Sequence, residues 1–207
     1  MIPAGIELLY QDDSLLVVAK PAGLLSVPGR GPDKQDCLSA RLQQTFPDAL
    51  IVHRLDMATS GLMLFARGIE MQRRLSALFQ GRTIEKRYVA VCHGQLQPAQ
   101  GEIDLPIAPD WPNRPLQRID HEHGKPSLTR YRVLQTDALT SRVELEPHTG
   151  RSHQLRLHLA TLGHPILGDA LYGDAASAPR LLLHACALRF NHPISGEMQH
   201  FDHPVPF

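Results

Sequence analysis

The side chains best suited by type to do chemistry lie in His53-Arg54-Leu55-Asp56-Met57-Ala58-Thr59-Ser60-Gly61. Apolar runs flank them, Leu50-Ile51-Val52 before and Leu62-Met63-Leu64-Phe65-Ala66 after. Short apolar runs of this kind, the second bounded by Gly61 and Gly68, read as buried strands. A charged His-Arg-x-Asp between two such strands is a local conflict. Folding gains little from an arginine and a carboxylate where the core begins. Conflicts of this kind are expected at functional sites. A plain structural reading also exists: Asp56 caps the turn through the Thr59 or Ser60 backbone, with Arg54 as its salt-bridge partner.

Three further groups carry chemical potential. Gly150-Arg151-Ser152-His153-Gln154-Leu155-Arg156-Leu157-His158 reads as the start of a helix over 151–162, ended by Gly163. Leu155, Leu159 and Leu162 form its apolar stripe, and Arg156 lies beside them on the side of His153. Such an arginine either snorkels to water or pairs with a buried anion. A carboxylate that must react as a base or nucleophile has to stay ionised, and a neighbouring guanidinium lowers its pKa. Asp56 with Arg156 is therefore a coherent pair. Tyr88 is the second candidate, on a strand over 83–93 where Lys86, Tyr88, Ala90 and Cys92 share a face. The third is the semi-rigid loop Asp110-Trp111-Pro112-Asn113-Arg114-Pro115, whose Trp111 and Arg114 suit stacking on an unpaired base. A tryptophan packed under the loop is an equal alternative.

Other chemistries find little support. Twelve histidines invite a metal, but His153 and His158 are about 140° apart around a helix, and there is no His-Glu-x-x-His. No metal site is expected. There is no Gly-x-Ser-x-Gly, and Gly29-x-Gly31 lacks the third glycine or the Gly-Lys-Ser/Thr of a phosphate cradle. A glycosidase would need Asp56 beside a second carboxylate such as Glu144 or Glu146, which sequence cannot place.

The 207 residues, 43% hydrophobic and 20% charged, suffice for a sizeable core. Cys37, Cys92 and Cys186 form no C-x-x-C and no disulfide framework. Residues 1–6 lack a leader pattern, and no apolar run is long enough to cross a bilayer, so a soluble cytoplasmic protein is expected. Net charge is zero, which argues against a general nucleic-acid coat. Basic residues nonetheless gather between Arg67 and Arg87 and between Arg114 and Arg132, either as solvated faces or as contacts for an anion.

Along the chain, residues 6–10 and 15–19 read as a β-hairpin about an Asp-rich turn. Asp36 is placed to cap a helix over 37–45, and 69–80 reads as a helix with Met71, Leu75, Leu78 and Phe79 on one face and Gly81 at C′. Strands are expected at 103–107, 129–134, 142–145 and 181–183, followed by a polar tail. The sum is one mixed α+β domain over 1–207 with a mainly antiparallel sheet and flanking helices.

These residues, in this order, resemble the RluA-type pseudouridine synthases. The signature is His53-Arg54-Leu55-Asp56 with Thr59-Ser60-Gly61. Lys20-Pro21-Ala22-Gly23-Leu24 precedes it and Lys86-Arg87-Tyr88 follows. Gly150-Arg151-x-His153-Gln154-Leu155-Arg156-x-His158, Gly163-His164-Pro165-Ile166-x-Gly168-Asp169-x-x-Tyr172-Gly173 and Leu182-Leu183-His184-Ala185 complete the series across nearly the whole chain. The resemblance implies the fold of that family and the isomerisation of uridine to pseudouridine in structured RNA, without cofactor or metal. It implies that Asp56 is the essential aspartate, Tyr88 stacks on the target uracil and Arg156 salt-bridges Asp56. It further implies that Arg54 helps fill the space left by the flipped base, while Leu183, or Leu182, floors the pocket. Arg151, Trp111 and Arg114 are counted with the substrate-binding residues. Many relatives carry an N-terminal RNA-binding domain of the S4 type; this chain starts close to the first family strand and is expected to lack it, and to be a monomer. The short form most resembles the branch with dual specificity, which implies uridine 746 of 23S rRNA and uridine 32 in the tRNA anticodon stem-loop as targets.

Overall fold

A computed structural model describes residues 5–207, so most of the 1–6 segment read as lacking a leader lies outside it. The chain forms two compact units. One takes the chain up to Lys86 together with Ala185–Pro204; the other takes Arg87–His184 with Val205–Phe207. In chain order the elements begin with β1 (Glu7–Gln11), β2 (Leu15–Lys20), α1 (Leu38–Gln43), β3 (Ala49–Ile51), β4 (Ser60–Arg67) and α2 (Ile69–Gln80). There follow β5 (Glu85–His93), β6 (Gln100–Asp104), β7 (Ile107–Pro109), β8 (Gln117–Ile119), β9 (Leu128–Thr136), β10 (Thr140–Pro147) and α3 (Gln154–Thr161). Last come β11 (Leu183–Asn191) and β12 (Met198–Asp202). The α+β class and the dominance of strands are as expected.

In the first unit the sheet order is β1-β2-β4-β11, with β12 on β11 and β3 on β4. The β1–β2, β2–β4, β3–β4 and β11–β12 ladders are antiparallel. The β1–β2 turn closes as its sequence requires: Asp12 Oδ1 accepts the N–H groups of Ser14 (2.7 Å) and Leu15 (2.8 Å). Every residue of β2 is buried, and so is β4 up to Ala66. One side chain in two, Leu15 and Val17 from β2 with Leu62, Leu64 and Ala66 from β4, joins Met71 and Leu75 of α2 in one core. Gly61, at φ +115°, is where β4 meets the Ala185 backbone of β11, and any side chain would collide there.

In the second unit β5, β10, β9 and β6 form consecutive antiparallel ladders, and β7 pairs with β8. The strand expected over 103–107 is broken because Pro106 has no N–H to give a ladder. Helix α3 begins at Gln154, later than expected. The Gln154 side chain accepts from Thr149 Oγ1 (2.7 Å) and the Arg151 N–H (3.0 Å), and its amide donates to Leu128 O and Thr129 Oγ1 at 3.0 Å. That saturated buried amide holds residues 149–151 as a loop.

Several boundaries differ for local reasons. The N-cap of α1 is Cys37, whose Sγ accepts from the Ala40 N–H, while Asp36 turns outward to Arg41 at 2.7 Å. Helix α2 ends in the expected place, but Gly81 has φ −72° and Arg82 takes the left-handed position at φ 58°. Thr83 N–H to Leu78 O and Arg82 N–H to Phe79 O then close a Schellman motif with arginine at C′. Helix α3 ends in the same motif with Gly163 at C′. Leu162 is outside the apolar stripe, 40% exposed. The expected strand over 181–183 is the approach to β11, which starts at Leu183 and runs on through the segment read as a polar tail. Leu75 is fully buried under the first sheet. Leu75→Ala is expected to cost about 2–5 kcal/mol in denaturant unfolding; a loss below about 1 kcal/mol would show that α2 does not seal this core.

Candidate active site

The conflict at residues 53–61 resolves residue by residue. His53 is neutral: burial first, then the Lys86 ammonium, push its imidazole down to about 3. Its Nε2 accepts the Leu64 N–H at 2.9 Å, and its ring stacks on Phe79 with centroids 4.5 Å apart. His53 thus behaves as a flat core side chain that ties the turn to β4. Arg54 is exposed and Leu55 buried. Ser26 grips Leu55 on both sides, accepting its N–H at 3.1 Å and donating to its carbonyl at 2.7 Å.

On the far side of Asp56, the Met57 carbonyl accepts the Gly23 N–H at 2.8 Å and Lys20 Nζ at 3.0 Å. Lys20 is 1% exposed, and its ammonium also donates to the carbonyls of Pro21 (2.8 Å) and Leu24 (2.7 Å). Three carbonyls around one ammonium offset much of the cost of burying it. The 20–26 loop therefore clamps the backbone on each side of Asp56. Thr59 donates its backbone N–H to the Asp56 carbonyl at 3.1 Å, closing the turn through main chain. Asp56 itself is half-buried, held in a fixed place within reach of solvent.

In the second unit Tyr88 lies on β5 opposite Leu145 of β10 and is half-buried. Arg156 is buried, not snorkelling, and one of its partners was not named by sequence reasoning. Its Nε and Nη2 form a fork onto Asp169 at 2.8 and 2.6 Å. Asp169 is fully buried and also accepts the N–H groups of Leu171 and Tyr172. Burial pushes its carboxyl up, but the Arg156 guanidinium and these N–H groups outweigh it, and the net pKa is below the ordinary carboxylate range. The guanidinium stands 5.4 Å from the Tyr172 ring centroid. The Tyr172 hydroxyl accepts the Gln117 N–H and meets His153 Nδ1, both at 2.8 Å. His158, kept neutral by burial, bonds Thr129 Oγ1 and Leu105 O and pins α3 to the strands beneath.

The remaining candidates separate. Trp111 is 65% exposed, with the Arg114 guanidinium 3.5 Å from its ring centroid, so the loop stacks on itself and the tryptophan is not packed beneath it. Arg151 reaches the Pro126 carbonyl at 3.4 Å. Leu183 is buried at the start of β11, and Leu182 bonds Leu167 and Val91 through its main chain. Among the described residues no cluster of His, Cys, Asp and Glu could hold a metal, and no helix is long and apolar enough to cross a membrane.

A family model for RNA pseudouridylate synthase matches residues 14–161, which span the Lys20 clamp, Asp56, Tyr88 and Arg156. The chain belongs to the RNA pseudouridylate synthase family. It is 50% identical over 206 residues to the dual-specificity RNA pseudouridine synthase RluA of Escherichia coli (strain K12), covering 98% of this chain and 94% of that one. The protein of the same name from Vibrio vulnificus (strain CMCP6) is 47% identical over 97% of this chain and 84% of its own. Among solved structures, human RNA pseudouridylate synthase domain containing 1 superimposes with a TM-score of 0.80 at 30% identity, covering all of this chain and 87% of that one. As a family member the protein is an isomerase, an RNA pseudouridine synthase.

Sequence reasoning missed Ser26, Asp169 and the use of Lys20. A signal existed for the last: a lysine ends the otherwise apolar β2, just before Pro21. Because Asp169 is held below its unfolded pKa, its pairing stabilises the fold above that value and is lost as pH falls through the folded one. Asp169→Asn should cost about 3–5 kcal/mol at neutral pH, with the gap to wild type closing below about pH 4 in thermal unfolding. Equal stability at neutral pH would contradict the buried pair.

Proposed function

We propose that this pseudouridine synthase acts on structured RNA of two kinds, at uridine 746 of 23S rRNA and uridine 32 of tRNA anticodon stem-loops. The observation that carries the reading is the Asp56 carboxylate on a turn clamped by Ser26, Gly23 and Lys20, in a chain half identical to dual-specificity relatives. A target base inside a helix cannot be reached, so it leaves the stack, and the exposed Arg54 takes up part of the space. Tyr88 stacks on the uracil, with Leu183 or Leu182 flooring the pocket. Arg156, its plane fixed by Asp169, is the guanidinium we assign to keep Asp56 ionised. Asp56 attacks the nucleotide or removes a sugar proton. The N1–C1′ bond breaks, the uracil turns, C5 bonds C1′, C5 gives up its proton and N1 takes one. The atoms balance without cofactor, metal or cosubstrate. We place the reaction in the cytoplasm, in a monomeric catalytic domain.

Release of tritium from RNA labelled at uracil C5 tests the reaction. Wild type should release it and leave the strand intact, and Asp56→Asn should release none. Free uracil with an abasic site would mean a glycosylase; binding with no release would mean an RNA-binding module. Carbodiimide sequencing of RNA from a strain lacking the protein tests the substrates, and pseudouridine persisting at both positions would remove the dual assignment. For the exposed stack, Trp111→Ala with Arg114→Ala should weaken RNA binding by about 1–3 kcal/mol with little change in Tm. A large drop in Tm with unchanged binding would return this loop to a structural role.

A further inference from the structure

The end of α2 uses an arginine where the backbone favours glycine. Arg82 takes φ 58° at C′ although Gly81 stands beside it and Gly163 fills the equivalent place on α3. A non-glycine residue in this region stores strain, and such outliers gather at functional positions. The carbonyl end of α2 attracts a cation and accounts for part of this choice. It does not account for what lies next to it.

Four residues on, Lys86 enters β5 half-buried. Burial first, and the nearby Arg82 second, lower its ammonium pKa. Among the described residues no ion pair or hydrogen bond of the Lys86 side chain is present. The neighbouring acid, Glu85, lies on the other face of the strand and faces Arg189 at 3.9 Å. Glu70 of α2 serves Arg73 and Arg74. His53 stays neutral under the Lys86 field, and exposed Arg54 follows it in the chain. Arg82 and Lys86, four residues apart in the chain, thus have no carboxylate partner among the described residues, in a protein whose formal net charge is zero. Removing an ammonium from water without a partner is unfavourable unless something else supplies the anion. Lys20, more deeply buried, is given three carbonyls.

We propose that Arg82 and Lys86 form a seat for one backbone phosphate of the bound RNA, close to the target nucleotide. This rests on the RNA-modifying reading above. Lys86 stands two residues before Tyr88, the repeat of a strand, so a phosphate held there belongs to the nucleotides beside the flipped uridine. Arginine presents a fork to phosphate oxygens and lysine a point charge, and together they neutralise one site.

The test uses Arg82→Gly and Lys86→Met in the full chain, with a fluorescent anticodon stem-loop carrying uridine 32 as the probe. Binding is measured by anisotropy across a potassium chloride series, together with Tm. Each variant should bind several-fold more weakly at low salt, with the slope of log K against log salt reduced by about one. Arg82→Gly should do so while keeping or raising Tm, because glycine relieves the left-handed strain. Lys86→Arg should restore the slope. Wild-type slope and affinity in both variants, with wild type binding and modifying RNA, overturns the phosphate seat alone. Weaker binding that tracks a loss of Tm, without rescue by Lys86→Arg, also overturns it by assigning these residues to folding. If wild type neither binds nor modifies RNA, the underlying reading fails instead.

Discussion

A buried ammonium is the constraint on which the turn at Asp56 depends. Lys20 brings a positive charge to the end of an apolar strand, and the chain satisfies it by folding three carbonyls around it. Two belong to the loop that follows, and the third is Met57, next to Asp56. A carbonyl so held cannot swing. With Ser26 gripping Leu55 on the other side, the backbone at Asp56 is fixed before any substrate arrives. Preorganisation of this kind removes reorganisation from the reaction, where small misplacements of a reacting group are expensive. The polar residues between β3 and β4 therefore form a frame, and the side chain at position 56 is left half-exposed within it.

The second unit solves the same problem with side chains. Arg156 is fixed by a fork onto Asp169, which is fixed by two backbone N–H groups and lies beside Tyr172. Gln154 and His158 hold the same helix to β9 and to Leu105 through fully engaged amide and imidazole groups. Tyr172 extends the network to β8, just beyond the loop that displays Trp111 and Arg114. A polar network is favourable in a core only when each member is paired, and this one is. The helix gains its position from these bonds as much as from Leu155 and Leu159.

Local, periodic features were legible. Helix α2 and the β1–β2 hairpin with its aspartate turn occur where spacing and turn chemistry put them. Identity was legible because six motifs fall in order along the chain. What was hidden depends on contacts distant in sequence. Nothing near residue 156 names Asp169, thirteen positions away, as a partner of its guanidinium. The late start of α3 follows from an amide that bonds residues 128 and 129, and the strand character of residues 183–191 is masked by Ala185 and Ala187, small residues whose burial comes from neighbouring strands. Cys37 displaced Asp36 as a cap because Arg41, one turn on, claims the carboxylate.

The frame around Asp56 makes a claim about rate rather than affinity. The most direct measurement is a single-turnover experiment on Lys20→Met at saturating enzyme, with RNA affinity measured on the same preparation. The account predicts a rate about tenfold to a hundredfold lower, with affinity within about twofold of wild type. An unchanged rate, or a loss confined to affinity, would contradict it.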